Sequence, residues 1–125
     1  MEHRNERPHK RLDLWKQAVE MVVQVYEVTN EFPREEIYGL TAQLRRAAVS
    51  VPSNISEGLT RRSVADKLHF LNISQASLSE IDTQTEIAMR LGFLSEEKFT
   101  IVQDRLIHVQ RLLGGLIRSI VAKRS

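Results

Sequence analysis

Residues 95–122 read SEEKFTIVQDRLIHVQRLLGGLIRSIVA, and their spacing decides the fold. Phe99, Val102, Leu106, Val109, Leu113, Leu116 and Ile120 recur in alternating steps of three and four, which places them along one face of a helix. A seam of this heptad type packs against other helices at about 20°. Ser95 stands where an N-cap belongs, and Glu96 and Glu97 follow in the first turn, where carboxylates are favoured. A helix of about 28 residues reaches about 42 Å. It needs neighbours with similar stripes.

The rest of the chain supplies them. Upstream, Ser63 with Asp66 three residues on forms a capping-box variant that opens a helix running to Leu91, where Gly92 ends it. One stripe reads Val64, Leu68, Leu71, Ser74, Leu78, Ile81, Thr85 and Ala88. A second, about 100° around the axis, reads Phe70, Ile73, Ser77, Glu80, Gln84, Ile87 and Leu91. Nearer the start, Asp13 is the expected N-cap of a helix buried through Leu14, Ala18, Val22 and Val25 and stopped by Asn30 and Phe32-Pro33. A further helix, starting between Pro33 and Thr41, has the stripe Leu44, Ala47, Ala48, Val51 and Ile55. Pro52 inside it allows either a break at Val51 or one kinked helix to Glu57, with Gly58 as a left-handed stop. The expected fold is all-α, an antiparallel up-down-up-down four-helix bundle over residues 11–122, with polar tails at 1–10 and 123–125.

Composition narrows the function. The chain has 125 residues, enough for one domain, and no cysteine, which excludes disulfides and thiolate chemistry. No apolar run approaches the roughly 20 residues that span a bilayer, and residues 1–8 lack the apolar stretch of a signal peptide, so a cytoplasmic protein is expected. The four histidines form no metal-ligand spacing, and Asp82 and Glu86 lie four apart on an exposed face. No metal, cofactor or catalytic residue is expected. Gly114-Gly115, within a helix and without a preceding strand, reads as a close helix crossing rather than a phosphate loop.

Charge is segregated although the net is only +2. Residues 40–75 carry net +3, 76–100 net −3 and 101–125 net +4. Arg45, Arg46, Arg61 and Arg62, then Arg111 and Arg118 seven residues apart on one helix face, are candidate phosphate contacts. Lys10, Arg11, Lys123 and Arg124 would extend them from the tails. Two accounts fit Ser50, Ser53, Asn54 and Glu57 beside Arg46. They form either a structural polar network, its serines meeting carbonyls freed by Pro52, or part of the phosphate-contacting surface. The double stripe of the 63–91 helix is either a wide core face or an oligomer interface through Phe70, Ile73, Ser77, Ile87 and Leu91.

Leu14 to Ala18, Tyr38-Gly39-Leu40, Gln43 to Ala48 and Asn54 to Gly58, with Phe70-Leu71 and Leu91 to Leu94, resemble a bacterial four-helix-bundle family. That family contains the proteins encoded by intervening sequences of 23S ribosomal RNA genes. The accessory variability determinant of diversity-generating retroelements is similar in fold. The resemblance implies a homopentameric barrel of bundles with a positively charged surface, binding structured RNA or DNA, and in the retroelement branch a reverse transcriptase. The expectation is therefore a non-catalytic nucleic-acid-binding accessory protein. A protein–protein scaffold ring is the alternative.

Overall fold

The computed structural model describes residues 12–124, so Lys10 and Arg11 lie outside the described residues. Four helices, α1 Asp13–Thr29, α2 Leu40–Leu59, α3 Val64–Arg90 and α4 Glu96–Ala122, are joined by short connections, the first containing a 3₁₀ turn at Arg34–Glu36. No strand occurs among the described residues. Packing of α1 on α2 and α4, and of α3 on the same two, closes a four-cornered bundle whose consecutive helices run antiparallel. The expected architecture is the one found.

The stripes form the core. Ala18, Met21 and Val25 of α1 are buried in one cluster with Leu44, Ala48, Val51 and Ile55 of α2. The same cluster holds Leu71, Leu78 and Ile81 of α3 and Val102, Leu106, Val109 and Leu113 of α4. Each buried Leu or Ile contributes about 1.5–3 kcal/mol. The Ser63 hydroxyl accepts from the Asp66 amide and the Ser95 hydroxyl from the Lys98 amide, so both expected caps are realised. Gly92, the one glycine among the described residues with positive φ (81°), turns the chain from α3 into α4.

Three local expectations are corrected, and of the two readings of Pro52 the continuous helix is the one found. Asp13 is the first helical residue and not the cap; Leu12 occupies that position with no side-chain bond. There the Asp13 carboxylate faces the positive end of the helix dipole and accepts from Gln17 Nε2 at 3.3 Å. Gly58 does not stop α2, which continues to Leu59. A Cβ at Gly58 would lie 3.1 Å from the Lys67 carbonyl oxygen and 3.3 Å from Phe70 Cβ, so its bareness lets α2 and α3 touch. The close crossing assigned to Gly114-Gly115 is absent, since Cβ atoms there would meet only the guanidinium of Arg118 on the same helix. Finally, α2 runs unbroken through the buried Pro52. Serine hydroxyls near it donate to the carbonyls of Val51 and Ser53, not to that of Ala48, which proline deprives of its partner.

Candidate nucleic-acid interface

Antiparallel packing gathers the start of α1, the α2–α3 corner and the last turns of α4 at one end of the bundle. With each helix divided at its midpoint, that half (13–20, 50–77 and 109–124) carries eight Lys or Arg against four Asp or Glu. The other half (21–49 and 78–108) carries six against ten. The described chain is thus a rod with net +4 at one end and −4 at the other.

The cationic end contains most of the expected basic residues. Arg62, Arg111, Arg118, Lys123 and Arg124 are exposed. Arg61 is exposed but engaged: it pairs with Glu57 at 2.5 Å, and its guanidinium lies 4.7 Å from the Phe70 ring centroid. Lys67, counted in the positive charge of residues 40–75 but not among the candidate contacts, is half-buried in the first turn of α3 and belongs to the same corner. The close approach at Gly58 brings it there.

Arg45 and Arg46 lie in the other half and are separated from this cluster. Arg45 is half-buried; its Nε donates to Thr29 Oγ1 (2.8 Å), its Nη2 to Asn30 Oδ1 (3.0 Å), and the guanidinium stacks 4.6 Å over Tyr26. It clamps the end of α1 to α2 and is spent on folding. Arg46 is exposed and lines a cleft between α2 and α3, of about 500 Å³, with Gln43, Ser50, Ile73, Ser77 and Glu80.

The floor of that cleft is the polar network, smaller than expected. Asn54 Nδ2 donates to the Ser50 carbonyl (2.9 Å) and hydroxyl (3.0 Å), and Ser77 Oγ meets Ser50 Oγ at 2.9 Å. The exposed Ser53 side chain takes no part, and Glu57 is committed to Arg61. Among the residues expected at an oligomer interface, Ser77 is only 4% exposed and its hydroxyl is spent on Ser50 at the base of the cleft. Phe70 is half-buried under Arg61. Ile73, Ile87 and Leu91 face outward.

Two buried side-chain oxygens among the described residues have no hydrogen-bond partner, Gln84 Oε1 and Gln24 Oε1. Gln84 lies in the α2–α3 cleft, and Gln24 in a groove between α1 and α4 lined by Ile101, Asp104, Arg105 and His108. The two helix pairs form opposite sides of the bundle. Gln84 falls in the second stripe expected on α3, whereas Gln24 carried no signal in the sequence, where it is one polar residue beside an apolar stripe. Among the described residues no group of three or more His, Asp or Glu could hold a metal ion, and no helix is long and apolar enough to cross a membrane.

The geometry defines a class: a four-helix bundle with a cationic end and two lateral clefts. The chain belongs to the 23S rRNA-intervening sequence protein family, whose model matches residues 10–115. A solved structure of a protein of unknown function from the S23 ribosomal protein family of Bacteroides thetaiotaomicron VPI-5482 has the same fold, with a TM-score of 0.78 and 21% identity. The match covers 84% of this chain and 95% of that one, and at such identity the likeness concerns the fold alone. No curated protein matches the chain.

Proposed function

We propose that the protein is a non-catalytic accessory factor that binds structured nucleic acid, RNA in preference to DNA, through its cationic end. The observation that carries this reading is the separation of charge along the bundle, +4 at one end and −4 at the other. Exposed guanidinium and ammonium groups at the first end neutralise phosphates and release counterions, which gives affinity without sequence reading. The corner's phenylalanine, Phe70, is half-buried and covered by Arg61, which makes it a poor stacking platform for bases. Backbone and shape recognition of a folded RNA fits such a surface.

Assembly strengthens the reading. The homopentamer implied by the sequence resemblance would set the α2–α3 face of one copy against the α1–α4 face of the next. Each contact would offer partners to the unpaired Gln84 and Gln24 and cover Ile73 and Ile101. Five cationic ends on one rim would concentrate about twenty positive charges. A reverse transcriptase, where one is present, would meet the protein on the shared RNA.

The test is fluorescence anisotropy with a labelled RNA hairpin between about 50 and 200 mM salt, where an interface with six or more phosphate contacts loses about 10³-fold or more. Arg62→Ala, Arg111→Ala and Arg118→Ala each should weaken binding and flatten the salt slope. Affinity unchanged in all three overturns the assignment. Absence of RNA binding at low salt leaves the scaffold ring as the function.

A further inference from the structure

The corner where α1 gives way to α2 holds a small groove that the cationic end does not include. Its volume is about 230 Å³, and its polar lining comes from Thr29, Asn30, Arg34, Thr41 and Arg45. Two guanidinium groups line it and no carboxylate does. Of the neighbouring acids, Glu31 pairs with Lys98, Glu36 accepts from the Leu40 amide at 3.0 Å, and Glu35 stands outside the lining. Arg34 is exposed, and its guanidinium has no partner among the described residues.

Three more donors there lack an acceptor. The clamp formed by Arg45 uses Nε on Thr29 Oγ1 (2.8 Å) and Nη2 on Asn30 Oδ1 (3.0 Å), which fixes the guanidinium and leaves Nη1 unused. Because an arginine can only donate, Asn30 turns its oxygen to Arg45 and keeps its Nδ2 amide for another acceptor. Thr41 is only 3% exposed, yet its hydroxyl has no hydrogen-bond partner among the described residues. Thr41 lines the groove, so a partner would reach that hydroxyl from there. Thr29 is satisfied by contrast, since its hydroxyl donates to the Val25 carbonyl at 2.7 Å and accepts from Arg45.

We propose that this groove binds a single phosphoryl group, carried by a free molecule or by the phosphorylated end of a strand. Arg34 and Arg45 Nη1 neutralise its charged oxygens, and the Thr41 hydroxyl and Asn30 amide donate to those that remain. Four donors from α1, α2 and the connection between them suit a tetrahedral oxyanion, which offers more acceptor oxygens than a planar carboxylate. The volume falls below the about 300–1,000 Å³ of pockets for drug-sized ligands, so the phosphoryl group enters and the rest of its molecule stays outside. Arg45 is already held by its clamp and loses little conformational freedom on binding. The groove lies apart from the surface assigned to RNA, so either assignment can fail without the other.

The probes are inorganic phosphate and, separately, an RNA hairpin with and without a terminal phosphate, each titrated into the full chain at fixed ionic strength and followed by NMR. Saturable shifts at Arg34 and Thr41 with inorganic phosphate support the site and assign it to a free molecule. The same shifts only with the phosphorylated hairpin support it and assign it to a strand end. Arg34→Gln and Thr41→Val should each weaken binding about tenfold or more, the loss expected of a charge-assisted hydrogen bond. Arg34 is exposed, and Thr41→Val removes a hydroxyl that has no partner in the free protein, so urea unfolding should find both variants as stable as the parent. Arg111→Ala should leave the phosphate shifts unaltered. Absence of saturable shifts with either probe, equal affinity of both variants, shifts that map to the cationic end, or acetate binding as tightly as phosphate overturns the proposal.

Discussion

Gly58→Ala puts a methyl group into a close approach between α2 and α3. Its carbon would sit 3.1 Å from the Lys67 carbonyl oxygen, 3.3 Å from Phe70 Cβ and 3.4 Å from Leu71 Cδ2. The first of these is backbone and cannot yield unless α3 shifts. Overpacking of this kind costs about 1–3 kcal/mol. Against it stands the better helix propensity of alanine, about 0.8–1 kcal/mol in a helix interior and less in a final turn. The balance is a loss of about 1–2 kcal/mol, or about 4–8 °C in Tm for a domain of this size. Urea unfolding followed by helical circular dichroism, at fixed protomer concentration, measures it. Gly58→Asn discriminates further. Asparagine is tolerated at a left-handed helix terminus but is larger than alanine in a crossing, so it should cost more here. An alanine variant as stable as the parent, or an asparagine variant more stable than the alanine one, would refute the crossing.

Gly114→Ala should have the opposite sign, gaining about 0.5–1 kcal/mol, because the added carbon meets only the movable Arg118 guanidinium at 3.3 Å; the same unfolding curves read it. Arg45→Ala should cost about 1–2 kcal/mol, since it removes the hydrogen bonds to Thr29 and Asn30, whereas Arg62→Ala should leave the midpoint unmoved. Ile73→Asp and Ile87→Asp, on side chains that face outward, should lower the mass measured by light scattering without loss of helicity. An unchanged mass would remove those side chains from any interface between copies.

Periodicity made the bundle legible because each stripe lies on a single helix: every core position expected on α4 is buried or half-buried, and Ser63 and Ser95 cap as their spacing requires. What could not be read was set by contacts between helices. The sequence pattern gives the stop to Gly58 and the crossing to Gly114-Gly115, yet Gly58 faces the α3 backbone and Gly114 meets only a side chain of its own helix. Arg45 and Arg46 are neighbours, but the roughly 100° between them on a helix sends one to clamp α1 and the other into the α2–α3 cleft. Net charge by segment revealed that charge was uneven but not which segments share an end, and Lys67 joined the cationic corner only through the α2–α3 approach.

Separating four positive from four negative charges over about half the length of a 40 Å rod gives a dipole of several hundred debye. Near a polyanion such a molecule experiences a torque before it touches anything, which turns its cationic end toward the negative charge. The Debye length, about 8 Å at physiological ionic strength and about 30 Å in dilute buffer, sets the range over which this aiming operates.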